Sequence, residues 1–255
     1  MRPPVEPSSV SRDLVDRGSN GSPVRILKPS LRGVPFQAQA GGGPVQLLSE
    51  RQRLQLGALA TELRLPARTT IYQEETAAEW VFIIRHGALK SFRELANGKR
   101  VITAFLFQDD MFGLAEAGRY VNTIQALTPV TLHRFRMDAL ADMLRRDAGL
   151  EFQFLCKVTH ELRQSQRQLL ALSRRHAMGR LVMFLNILQE RGAVDATQID
   201  IPMSRADTAS YLGLSAEAVT RACAKLQKDG IVAFTGTHIA RILSRGKFDR
   251  LVAGH

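Results

Sequence analysis

Cysteine is almost missing from this chain. Its 255 residues include two, Cys156 and Cys223, and none at all in positions 1–155. Two thiols this far apart build no disulfide framework, which suits a reducing compartment. Also missing is any apolar run of the roughly 18 to 20 residues that a spanning helix needs. The N-terminus carries charges and prolines but no apolar signal core. No membrane association and a cytoplasmic location are therefore expected. The six histidines, His86, His133, His160, His176, His238 and His255, show no H-x-x-x-H or Cys/His ligand spacing, so no metal site is expected. No nucleophile–base pair or phosphate loop appears, and the chain is not expected to be an enzyme.

What the sequence has is positive charge. Lys and Arg number 35 against 24 Asp and Glu, a formal net charge of +11. Such an excess favours a polyanion as partner, because each phosphate contact releases a condensed counterion. The hydrophobic share of 45% is that of an ordinary globular chain.

The chain reads as four parts. Residues 1–43, rich in Pro, Ser, Gly and Arg and ending "AQAGGG", show no period and read as a flexible tail. From about 46 to 64 "QLLSERQRLQLGALATEL" has apolar residues at helical spacing and predicts a helix. Within 44–148 come short runs rich in β-branched and aromatic residues: "TTIYQ", "EWVFIIRHG", "ALKSFREL", "KRVITAFLFQ" and "TIQALTPVTLHRF". Asn97-Gly98 between two of them predicts a hairpin with a type I′ turn. An antiparallel barrel or sandwich is expected.

Residues 149–173 are expected to form a long helix. Leu155, Val158, Leu162, Ser165, Leu169 and Leu172 are spaced 3, 4, 3, 4, 3, an a/d seam along a partner helix. Burial against the chain's own barrel is the alternative. "SRRHAMGRLVMFLNILQERG" predicts the next helix, with Gly192 as its cap.

The part from 174 to 255 holds "SRADTASYLGLSAEAVTRACAKLQKDG", two short amphipathic helices. Ser204 and Asp207 make a capping box, and Ser215 is a good N-cap for the second helix. Ala209 is small where two helices would nearly touch, Gly213 tolerates left-handed φ in the turn, and Val219 faces inward. At 100° per residue Glu217, Thr220, Arg221 and Ala224 fall opposite Val219, near the helix N-terminus that meets base edges in a major groove. "IVAFTGTHIARIL" then reads as a hairpin wing.

On these residues the chain resembles the cyclic-AMP receptor / fumarate–nitrate regulator superfamily of bacterial transcription factors, over roughly residues 46–250. "DTASYLGLSAEAVTRACAKLQKDGIV" resembles its recognition signature LGL(S/T)-x-E-x-V-(S/T)-R, and "DDMFG" and "RHGALKSFREL-ANGKRVI" resemble its β-roll. The resemblance implies an α+β chain: an N-terminal antiparallel β-roll, a dimerisation helix and a C-terminal winged helix–turn–helix. It implies a homodimer on double-stranded palindromic DNA, with RNA polymerase as a further partner.

Carried over by position, Glu217 and Arg221 match the base-reading Glu and Arg, and Thr220 stands where fumarate–nitrate-type members have Ser. Ala216 replaces an Arg of the cyclic-AMP branch, so a TTGAT-like half-site is expected instead of TGTGA. With Arg205, Ser215 and Lys225 these complete the expected DNA-facing set. Cyclic-nucleotide rolls of this kind have Glu after "FG" and Arg-Ser further on. Here Leu114 and Asn122-Thr123 take those slots, leaving a buried phosphate without a charge partner unless Arg119 substitutes. The oxygen-sensing branch holds an iron–sulfur cluster on four cysteines, which two cannot supply. The likeness is therefore to the FixK-like branch without those cysteines, with no cofactor evident and the effector unknown. Haem on His86, His133 or His160 and a thiol switch at Cys223 stay open as alternatives. Cys223 reads first as a small buried hydrophobe, which needs no further account.

Overall fold

The computed structural model describes residues 50–115, 117–174, 176–192 and 197–254. The predicted tail, 1–43, lies outside them. A helix, α1 (Glu50–Leu59), leads into β1 (Thr61–Leu65). The helix predicted to run to residue 64 therefore ends five residues early. "TELRL" alternates, and Leu63 and Leu65 pack on the roll core while the strand pairs with β8, so alternation wins over the apolar helical spacing.

The roll follows with β2 (Thr70–Tyr72), β3 (Trp80–His86), β4 (Leu89–Glu94), β5 (Arg100–Leu106), β6 (Met111–Phe112), β7 (Thr123–Ala126) and β8 (Val130–Arg136). Two antiparallel sheets, ordered β1-β8-β3-β6 and β2-β7-β4-β5, enclose Phe82, Ile84, Leu89, Phe112, Ile124 and Leu132. Gly113 closes "DDMFG" at φ 93°, where a Cβ would stand 2.7 Å from the Trp80 carbonyl oxygen. Only glycine fits there.

The β4–β5 hairpin forms at Asn97-Gly98, but its turn differs from the predicted type I′. Only Gly98 has positive φ (75°), and Gly98 N–H bonds to Leu95 O at 2.8 Å. The Asn97 side chain accepts the Lys99 N–H at 3.0 Å. This is a three-residue loop with glycine in the left-handed position, a geometry that needs one such residue instead of two.

A bulge in this hairpin has a larger consequence. Ser91 pairs with Ala104 but Phe92 pairs with Ile102, leaving Thr103 as the extra residue. The extra residue resets the alternation, so both Ile102 and Phe105 face outward beside Phe92. There they join the core of the C-terminal part.

That part begins after α2 (Met137–Arg146) and the long α3 (Ala148–Leu172). It comprises α4 (Ala177–Gly192), β9 (Gln198–Asp200), α5 (Arg205–Leu212), α6 (Ala216–Lys228), β10 (Val232–Thr235), β11 (Ile239–Ile242) and α7 (Arg245–Ala253). Gly192, expected beyond the helix as its cap, is the last residue of α4. The wing hairpin β10–β11 gains β9 as a third strand. Phe184, Leu185, Leu212, Val219, Leu226 and Phe248 fill the core.

Candidate nucleic-acid interface

The α5–α6 pair is built by local rules. Ser204 accepts the Asp207 N–H at 3.0 Å, and Ser215 accepts the Ala218 N–H at 3.1 Å. Each satisfies one of the N–H groups a helix start leaves unpaired. Gly213 sits at φ 61°, which turns the chain so that Leu214 N–H reaches Ala209 O at 2.9 Å. Sequence reasoning missed Arg180. From α4 its Nη1 donates to the Leu212 carbonyl at 3.0 Å, closing the end of α5 from outside. No local pattern announces a contact between residues 32 apart.

One face of α6 is buried and the other is free. Val219, Ala222, Cys223 and Leu226 point into the core, while Glu217, Thr220, Arg221, Ala224 and Lys225 are exposed. Arg221 Nη1 and Glu217 Oε2 stand 3.6 Å apart as an exposed i,i+4 pair. Such a pair is loose in water and free to exchange its partners. The Thr220 hydroxyl donates to Ala216 O at 2.9 Å, so its methyl remains to face outward. Ser215 is committed to its cap, and Ala216 is exposed.

Arg205 departs from expectation. Its guanidinium does not project toward a phosphate but turns inward: Nη1 contacts Cys223 Sγ, and the group lies 5.5 Å over the Phe234 ring. It braces α5 against α6 and the wing, because a capped first turn leaves its side chain room to fold under the second helix. Cys223 is 6% exposed. Burial pushes its thiol up from the ordinary range, with the Arg205 charge offsetting part of that rise. A raised thiol forms little thiolate, so the switch chemistry has an unfavourable starting point.

Along α3 the seam residues lie open. Leu155 is 60% exposed, Leu162 59% and Leu169 66%, with Val158 also exposed, Ser165 outward and Leu172 half-buried. Leu155, Val158, Leu162 and Leu169 are therefore not buried against the chain's own roll. Phe152, one step earlier on the stripe, is exposed as well and was missed.

In the roll, Leu114 is exposed, and Thr123 Oγ1 accepts the Glu74 N–H at 3.0 Å. Arg119 Nη1 donates to Glu75 O, so it is committed to the backbone. Tyr72 and Tyr120 stack at 3.6 Å. His86 is at the exposed end of β3 and His133 faces Glu62 at 3.8 Å; the His160 side chain lies outside the description. Among the described residues no three His, Cys, Asp or Glu side chains cluster as metal ligands, and no helix is long and apolar enough to cross a membrane.

Comparison with known proteins gives a consistent result. Residues 62–147 match the cyclic nucleotide-binding domain model, and residues 179–251 match the Crp-like helix-turn-helix domain model. The chain is 31% identical to the transcriptional activator protein FnrA of Stutzerimonas stutzeri, over 68% of this chain and 73% of that one. It is 28% identical to the nitrogen fixation regulation protein FixK of Azorhizobium caulinodans, over 86% and 94% of the two lengths. Among solved structures, FixK2 from Bradyrhizobium japonicum superposes with a TM-score of 0.71 at 31% identity, covering 77% of this chain and 98% of that one.

Proposed function

Since this chain belongs to the cyclic-AMP receptor / fumarate–nitrate regulator family, and is a DNA-binding transcription regulator and not an enzyme, we propose that it acts as a homodimer on a two-fold operator with TTGAT-like half-sites. The observation that carries the proposal is the exposed Glu217–Arg221 pair, one helical turn apart on the outer face of α6. Arg221 bonds a guanine through O6 and N7, and Glu217 accepts from a cytosine N4 or adenine N6 on the opposite strand. The outward Thr220 methyl meets a thymine methyl. Ala216 offers no further polar contact, which removes the extra guanine of a TGTGA site. Lys225 and Lys228, exposed on the same helix, serve phosphates.

The α3 seam supplies the two-fold axis. Leu155, Val158, Leu162 and Leu169 meet their copies, which sets two α6 helices about one DNA turn apart. Such a dimer works in the cytoplasm, with RNA polymerase as its downstream partner. The Tyr72, Tyr120, Phe82 and Phe112 rings pack together inside the roll, which supports a reading without nucleotide or haem. Fluorescence anisotropy with a TTGAT palindrome, a TGTGA palindrome and scrambled DNA tests the reading. Preference for the first by tenfold or more supports it; equal affinity for the first two refutes it (tenfold being about 1.4 kcal/mol).

A further inference from the structure

The outward turn of β5 leaves a space where the roll, the seam helix and the reading part meet. A cavity of about 130 Å³ lies among Phe105 and Phe107 at the end of β5, Gln168 of α3, Phe184 and Arg191 of α4, and Tyr211 of α5. The rings of Phe105 and Phe184 stand 4.9 and 5.4 Å from that of Tyr211. Its wall combines these aromatic rings with aliphatic side chains, Leu106, Ile187 and Leu188 among them.

Besides Ser165 and Gln168 of α3, two polar groups of that wall bear on an occupant. Tyr211 is 8% exposed, and among the described residues no hydrogen bond reaches its hydroxyl. A hydroxyl without a protein partner keeps its donor and its acceptor free for an occupant of the cavity. Burial pushes the phenol up to about 12, so it stays neutral and able to donate. Arg191 is the other group. It donates through Nη1 to Asp110, 6% exposed, and lies 5.4 Å over the Phe107 ring. Asp110 neutralises it, so an anion entering the cavity meets no uncompensated cation and bears its own desolvation cost. A cavity of about 150 Å³ holds one benzene ring.

We propose that this junction cavity is a binding site for a small neutral aromatic molecule, one six-membered ring bearing a single hydroxyl, whose oxygen pairs with the Tyr211 hydroxyl. Its walls come from three parts of the chain, so an occupant stabilises their docked arrangement and is coupled to whatever property of α6 depends on that docking. The site goes beyond the DNA-binding reading and rests on no part of it.

The test uses the full chain, with phenol as probe and benzoate as its anionic counterpart, titrated by calorimetry without DNA. Phenol is expected to bind one site per chain, and benzoate at least tenfold more weakly. Tyr211→Phe keeps the shape but loses the hydroxyl, and should weaken phenol about fivefold. Ile187 and Ala104 also line the cavity; Ile187→Phe fills it and should abolish binding, and Ala104→Leu serves the same purpose should that variant not fold, with circular dichroism as the check on each. No phenol binding to the natural chain, phenol affinity unchanged in both kinds of variant, or benzoate binding as tightly as phenol would each overturn the proposal.

Discussion

The carboxylate of Asp207 joins two domains at once. Its Oδ1 accepts Lys90 Nζ of the roll at 2.9 Å, and its Oδ2 accepts the Ser204 hydroxyl at the start of α5, 2.8 Å away. Both partners of the ion pair are 18% exposed at the side chain. Alongside it, Ser210 accepts the Ile102 N–H at 3.1 Å and donates to Arg100 O at 3.2 Å, so a helix hydroxyl serves the open edge of β5. Asp207→Ala removes the latch and the cap contact together and should cost about 1–3 kcal/mol. Lys90→Met, which spares the cap contact, should cost less. Urea unfolding of the two variants measures the order, and a larger loss in Lys90→Met would show that Asp207 does not hold both roles.

The reading pair should behave in the opposite way. Arg221 and Glu217 are exposed, and replacing either by Ala should leave the unfolding midpoint nearly unchanged. Arg221→Ala should cost about 1–3 kcal/mol of discrimination at its guanine. Arg221→Lys should not restore it, since an ammonium lacks the planar fork that spans O6 and N7. Anisotropy on single-base operator variants reads both effects.

Charge on the seam should separate the subunits. Leu162→Glu and Leu169→Glu each put a carboxylate on the exposed stripe of α3. Sedimentation velocity should show a dimer for the natural chain and a folded monomer for either variant. Operator affinity should fall with the loss of the dimer, since each monomer then holds only one half-site.

Cys223 should be slow to react. Its thiol is buried and raised above its ordinary range by that burial, so little thiolate exists at pH 7 to 8. Labelling by a maleimide should be far slower in the folded chain than in urea, with Cys223→Ser as the control for Cys156. Peroxide that weakens operator binding in the natural chain but not in Cys223→Ser would show that the thiol opens to oxidant despite its burial.

Much of the local architecture was legible because its causes are local. Ser204, Gly213 and Ser215 announce their caps and turn within four residues, and the alternation of apolar residues marks the strands. The exposed apolar stripe of α3 follows the 3, 4 spacing of its residues. What escaped was set by distant partners. Arg205 reads as an exposed first-turn arginine until the wing places Phe234 above it. The bulge at Thr103, the Arg180 contact with Leu212 and the Arg191–Asp110 pair depend on strands or helices brought together by the fold. The β1 strand was hidden because "ATEL" continues a helical spacing while its pairing with β8 decides the outcome. The type I′ turn failed because the dipeptide Asn-Gly signals a hairpin more firmly than it specifies the turn.

On the proposed reading, α6 meets DNA through Glu217 and Arg221 from a paired chain. Selection of bound sequences from a random duplex pool, run with the natural protein and with Arg221→Ala, tests it most directly. The natural protein should enrich an inverted repeat of TTGAT-like halves, and the variant should lose the guanine preference in each half. Enrichment of TGTGA, of an unpaired half-site, or of the same motif by both proteins would contradict it.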